Sequence, residues 1–315
     1  MRWIPALLVV VSLCAQADYP ARPVRVVVPF PAGGPTDVLT RVLAQKLAAA
    51  WPQPVVVENK PGAGGAIGSD FVAKSAPDGH TLVMATSSTH SIGPLLQKLP
   101  YDAQKDFAPI VQTWSAPNVL AVSPALGVDN VRALIALAKA KPGQLNYASS
   151  GNGTIPHLSG ELFKLLAGVD LVHVPYKGTG LAIPDIARGQ VALIFDSIIT
   201  GQQAARAGHV KLLAVSTARR SGLLPDVPTM AEAGVPGYES DTWFGLLAPA
   251  ATPRDIVARI NADVIAALQA GDLRERFAAA GAEPAGGTPE AFGEKIRAEA
   301  AKWARVVAAA NIKTD

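Results

Sequence analysis

Cysteine is almost absent: the 315-residue chain has one, Cys14, close to the N-terminus. Beyond that residue there is no thiol for a disulfide, a cysteine nucleophile or a Cys-based metal site. Aromatic residues make up 6%, too few to suggest a platform for stacking bases or sugars. Lysine and arginine are scattered, with no basic run of the kind that follows a phosphate backbone, so nucleic acid is not an expected partner. The five histidines form no H-x-x-x-H pair, which argues against a zinc site; no metal and no cofactor is expected. A Ser-His-Asp set could be drawn from Ser88 or Ser150, His90 or His157, and Asp196. However, no G-x-S-x-G elbow singles out a nucleophile, and no catalytic residue is assigned. After the first twenty residues no apolar run reaches the about 20 residues that cross a bilayer. No fixed-period repeat occurs.

The N-terminus reads as a secretory signal peptide over residues 1–17. Arg2 supplies the positive region, 3–13 a short apolar stretch, and Ala15-Gln16-Ala17 a small-x-small cleavage site. The mature chain then begins at Asp18 and is expected in the periplasm. Cys14 follows Leu13, where a lipidation signal needs a small residue, so lipid attachment is not expected. Removing the leader takes away Arg2 alone among charged residues, lowering the net charge by one from +3.

Glycine (28) and proline (26) are plentiful, and between them apolar strands alternate with helical patterns. Residues 24–28, 54–57 and 81–85 read as strands, and 35–51 and 67–76 as helices. Val38, Leu39, Val42, Leu43 and Leu47 share one face of the first helix. A second series from about 119 has strands at 145–148, 172–174, 191–195 and 211–215, with helices at 131–141, 156–167, 183–187 and 202–207. After a strand at 243–247 only helices are expected, one starting at Thr252-Pro253-Arg254-Asp255 with proline first, and a last one from Thr288 to about Ala309. The alternation implies two α/β lobes, each a mostly parallel sheet flanked by helices. A closing helical block with no strand must pack on a lobe already built. The expected division is therefore 18–119 plus 240–315 for one lobe and 120–239 for the other, the chain crossing twice to make a hinge.

Ligands of α/β sheets lie where strands end and helices begin. Three such junctions are rich in glycine: 29–37, with Phe30, Ala32, Gly33, Gly34, Thr36 and Asp37; 61–68, with Gly64 and Gly65; and 149–154, with Ser149, Ser150 and Thr154. Each opens a helix whose first N–H groups have no partner inside it and carry the positive end of the helix dipole, which suits an anion. Asp37 and His157 fall in first helical turns, where capping or a structural role is the plainer reading. Neither 62–68 nor 151–156 completes a dinucleotide fingerprint. Thr86, Ser87 and Ser88 follow the third strand. Tyr176 and Asp196 end strands of the second series, and Asp196 could accept from a ligand hydroxyl, amine or water, or cap the next helix.

These segments also carry a family resemblance. YPARPVRVVVPFPAGGPTD at 19–37, VVVENKPGAGGAIG at 55–68, APDGHTL at 76–82, LPYDAQKDFAPI at 99–110, LNYASSGNGT at 145–154, HVPYKG at 173–178, LPDVPTMAEAGVPGYE at 224–239 and WFGLLAPAATP at 243–253 resemble the Bug receptors, solute-binding proteins of tripartite tricarboxylate transporters. The resemblance covers nearly the whole mature chain. It implies a two-lobed type II periplasmic binding fold with the cleft between lobes. It also implies a monomer that binds a mono-, di- or tricarboxylate without turnover and delivers it to membrane permease subunits. A sensor kinase is an alternative partner, and a periplasmic hydrolase an alternative activity. The carboxylate would sit against the first two glycine junctions, the second lobe adding Ser149, Ser150, Thr154, His157 and Asp196. Two departures from the family pattern, Ile155-Pro156 and Thr179-Gly180-Leu181-Ala182, both fall on the second-lobe side, at the distal half of the ligand.

Overall fold

A computed structural model describes residues 19–312. The expected leader at 1–17 lies outside these residues. The chain first lays down β1 (Val24–Val28), α1 (Pro35–Ala50), β2 (Val55–Asn59), α2 (Ala66–Ala73), β3 (Thr81–Thr86), α3 (Gly93–Leu96) and β4 (Phe107–Ala116). It continues with β5 (Asn118–Val122), α4 (Val131–Ala140), β6 (Asn146–Ser149), α5 (Ile155–Ala167), β7 (Val172–Pro175), α6 (Ile183–Ala187), β8 (Leu193–Ser197), α7 (Ile198–Arg206) and β9 (Lys211–Val215). It ends with β10 (Thr242–Pro249), α8 (Arg254–Leu268), α9 (Gly271–Ala279), β11 (Glu283–Gly286) and α10 (Pro289–Ala309).

The strands form two sheets, of order β11-β4-β10-β3-β1-β2 and β7-β6-β8-β5-β9. The chain passes from the first to the second between Ala116 and Asn118 and returns between Val215 and Thr242. The expected mostly parallel sheets are in fact mixed. β1 pairs parallel with β2 and β3, and β6 with β7 and β8; β10, β4, β11 and β5 pair antiparallel with their neighbours. A strand that enters its sheet directly from the other one, with no crossover helix, is free to run antiparallel.

The expected helix-only C-terminus is corrected too, because β11 pairs with β4. The long strand β4 carries a β-prone run at 110–114, but Pro109 near its start reads as a break. That proline lies where the register with β10 shifts, at Leu247, one of the few places a sheet tolerates proline. Pro253 is the residue before α8 rather than its first, and the Thr252 hydroxyl turns back to the carbonyl of Pro249 at 2.7 Å.

Alternation along each strand divides the cores. Val24, Val26 and Val28 face a cluster with Leu39, Leu43 and Leu47 of α1 and with α8, while Val27 faces the opposite one with Ala66, Trp243, Phe292 and Ile296. In the second sheet Leu120, Val122 and Phe195 face α4 and α5; Ala121, Ala148 and Ile194 face α6 and α7. Helix α10 belongs to both halves. Phe292 and Ile296 lie in a core of the first sheet, Trp303 and Val306 in the core of the second.

Candidate functional site

The loop between β1 and α1 is built around Asp37. Its buried carboxylate accepts from the Gly33 N–H at 2.8 Å, Arg41 Nε at 3.0 Å and Asn59 Nδ2 at 3.0 Å. Burial alone would raise this carboxyl; the hydrogen bonds from Arg41, Gly33 and Asn59, with the Arg41 charge, outweigh it and hold the group below the usual range. Asn59 also donates to the carbonyl of Phe30 at 3.1 Å, tying the start of the loop to β2. The Gly33 amide is therefore engaged inside the loop and is not a free donor. Gly33 has φ 80°, a conformation glycine adopts without strain. Ala32 and Gly33 are exposed, Gly34 and Phe30 half-buried and Thr36 buried. Gly34 precedes α1 and offers no side chain as a cap. Pro35 has no N–H, so the amides of Thr36 and Asp37 are left without an acceptor among the described residues.

The loop before α2 packs on the same corner. Gly65 has φ 96°, and a Cβ there would come 2.6 Å from Thr89 Cγ2 and 3.4 Å from Pro29 Cβ. Gly64 lies against Gln97, whose Nε2 would be 3.4 Å from an added Cβ. α2 likewise starts with no side-chain cap. The hydroxyl-rich stretch after β3 turns inward: Thr86 and Ser87 are buried, and only Ser88 is partly exposed. Residues Ser88–Ile92 form a single wide π-type turn. In it Thr89 Oγ1 meets His90 Nδ1 at 2.8 Å, and burial pushes the His90 imidazole down to about 3.

In the second sheet the junction after β6 is also self-engaged. Ser149 Oγ accepts from the Gly151 N–H at 3.0 Å and meets His173 Nε2 at 2.6 Å; Thr154 Oγ1 donates to the carbonyl of Gly151 at 2.7 Å. The Gly153 N–H donates to His157 Nδ1 at 3.0 Å, so this imidazole must be neutral to accept it. His157 stacks on His173 with centroids 3.9 Å apart. Burial, then the cost of placing a second positive imidazole beside His157, drives His173 down to about 4, and burial lowers His157 as well. α5 opens at Thr154 without a side-chain cap, and the amides of Ile155 and His157 have no acceptor among the described residues. Ser150 is half-buried at the turn.

Tyr176 is held by its N–H to the carbonyl of Ser149 at 3.0 Å. Its hydroxyl donates to Asp185 at 2.7 Å, and burial with that hydrogen bond pushes the phenol up to about 12. Asp196 is 5% exposed at the end of β8. Burial raises its carboxyl to about 6, against the pull of hydrogen bonds from the Ser197 N–H and the Thr179 hydroxyl.

The loops join into one surface. Gly65 touches Pro29 and Thr89, Gly64 lies by Gln97, and a Cβ at Gly153 would come 2.9 Å from Leu96 Cδ1, so α3 bridges the loops of the two sheets. Helix starts α1, α2 and α5 share this surface and lack side-chain caps, whereas α4, α7 and α10 are capped by Asn130, Ser197 and Thr288. Four further helices lack a side-chain cap: the short α3 and α6, of four and five residues, and α8 and α9, which Pro253 and Ala270 precede away from these loops. A hollow of about 760 Å³ lies elsewhere on the first sheet's side, beside Arg254, Asn261 and Arg297, and holds none of the loop residues. Asn59, Arg41 and His173 also set the loop geometry. The i,i+4 spacing of Asp37 and Arg41 on α1 is a local signal, whereas only the juxtaposition of distant segments identifies Asn59 and His173.

The family model of the tripartite tricarboxylate transporter family receptor matches residues 39–312. The chain belongs to this receptor family. A relative, the protein BugT of Bordetella pertussis, is 42% identical over 291 residues, 92% of this chain and 89% of that protein. Among solved receptors, R. palustris Rpa4515 with adipate is 39% identical with a TM-score of 0.74, covering 94% of this chain and 99% of that one. A solute-binding receptor from Polaromonas solved with no ligand is 29% identical but reaches a TM-score of 0.85, covering 92% of this chain and 99% of that one. The receptor thus has the two-lobed periplasmic binding protein architecture.

Proposed function

We propose that this receptor works in the periplasm without turnover. In this reading it closes two lobes, residues 18–119 with 240–315 and residues 120–239, over a small carboxylate and delivers it to the permease subunits of a tripartite transporter. The observation that carries this reading is the set of three uncapped helix starts, α1, α2 and α5, on one surface formed by loops of both sheets. Their amides suit a carboxylate, and the dipole adds attraction at each helix start. Arg41 is already committed to Asp37 and Asn59, so amides rather than a guanidinium would hold the ligand charge. The adipate in Rpa4515 supports this ligand class. The higher TM-score to the receptor solved without ligand, despite lower identity, supports an open arrangement here. Contacts that both lobes make only when closed would then shift the equilibrium on binding.

A thermal-shift screen of carboxylic acids, adipate included, tests the reading. A ligand at 100 times its Kd should stabilise the fold by about 2.7 kcal/mol. Gly34→Phe should abolish the shift without unfolding the protein, because Gly34 has an ordinary φ of −73° and an added Cβ there meets only Pro31 O at 3.5 Å. Retained binding in Gly34→Phe would remove α1 from the site.

A further inference from the structure

Strand order places the candidate cleft on one side of the crossings and a second inter-sheet contact on the other. In the first sheet β4 and β10 lead to and from the crossings. β3, β1 and β2, which carry the ligand loops, lie to one side of them and β11 to the other. In the second sheet β8, β6 and β7 lie to one side of β5, and β9 to the other. Ser221 follows β9 and Glu283 begins β11, so both stand behind the crossings as seen from the ligand loops.

These two residues meet. Glu283 Oε1 accepts from the Ser221 hydroxyl and from the Gly222 N–H at 3.1 Å, and Ser221 is 1% exposed. Beside them the turn into β11 presses on α7: a Cβ at Gly281 would come 2.3 Å from Ile199 Cγ1. The same rear face holds a cavity of about 360 Å³ with walls from both halves, among them Gln112, Ser115 and Glu283 on one side and Thr217 and Arg219 on the other.

We propose that the contact of Glu283 with Ser221 and Gly222 is an open-state latch that sets ligand affinity from behind the hinge. The proposal rests on the reading that the lobes close about the two crossings. Rotation about those crossings that brings the ligand loops together draws the rear edges apart. The two hydrogen bonds are then lost in the closed state and stabilise the open one. Apparent affinity falls by the fraction of molecules held open, so cutting the latch tightens binding without touching a ligand-contacting group.

The test uses the full chain with Cys14→Ser and spin labels at Ala49→Cys on α1 and Ala140→Cys on α4, both exposed positions. Inter-label distances are measured with and without adipate. Without ligand, Glu283→Ala and Ser221→Ala should each move part of the population from the longer to the shorter distance. In both variants the Kd for adipate, or for whichever acid the screen selects, should fall several-fold. An unchanged ligand-free distribution in both variants, with circular dichroism unaltered, overturns the latch whatever the ligand does. If the variants compact while no carboxylate shortens the distance in the parent chain, the latch stands and the carboxylate reading fails.

Discussion

Asp37 and the imidazoles are the residues on which the site depends most. The Asp37 carboxylate gathers three donors and converts a glycine-rich turn into a rigid corner. Asp37→Ala should cost about 2–3 kcal/mol in urea unfolding and weaken ligand binding, since Arg41 and the Gly33 amide lose a charged acceptor. Acid sensitivity follows from three shifted groups. His90 and His173, down to about 3 and about 4 in the fold against 6.5 in the unfolded chain, are neutral when folded and protonated when unfolded between those values. The unfolded state then binds more protons, so stability falls as pH drops from 6.5 toward 4. Asp196 opposes this. Its raised pKa of about 6 makes the folded state the one that holds the proton between 6 and 3.8, which favours folding as pH drops through that window. Urea midpoints measured across pH 4–7 should show a smaller acid loss in His173→Asn and a larger one in Asp196→Asn.

Among the elements, helix starts and the last helix matter more than the sheets. α1 shows how local chemistry dictates an open N-terminus: glycine in the cap position, then proline, with Leu39, Leu43 and Leu47 spaced to bury one face. That pattern was legible because helix period and stop signals are properties of neighbouring residues. The strand β4 was not, because its place in the sheet depends on partners β10 and β11 far along the chain, and the bulge at Pro109 exists only in that pairing. The helical pattern of α10 is local and legible, but its span over both halves is not. Trp303 is fully buried in the second sheet's core and donates through Nε1 to Glu299 at 2.9 Å. Trp303→Ala should cost about 3–5 kcal/mol. Hydrogen exchange should rise in the C-terminal half of α10 and in α5, more than in α1 or β1.

For the molecule as a whole, closure over a ligand should change its size in solution. A carboxylate that raises the melting temperature should also lower the radius of gyration in solution scattering, while leaving the helix content by circular dichroism unchanged. Ligand-induced stabilisation with no compaction would mean that the loops bind without lobe movement. With only two chain passages between the sheets, a rotation of one lobe against the other would leave each sheet and its own helices packed, apart from α10. The one long element that resists it is α10, anchored in both cores, together with the contact between Glu283 and Ser221 behind the crossings.

By itself the amino-acid order determined most of the succession of strands and helices, β4 and β11 apart, the glycine junctions that open α1, α2 and α5, and the family pattern running through them. These are local or additive features, written in periodicity and turn chemistry over a few residues. Tertiary structure alone decided which backbone donors are left over: Gly33 and Gly153 lose theirs to Asp37 and His157, while the amides of Thr36 and Ile155 have no partner among the described residues. It also decided that Thr86 and Ser87 turn inward and that α10 ties the halves together. The physical reason is competition. A donor goes to the acceptor nearest in space, and that acceptor can lie anywhere in the chain.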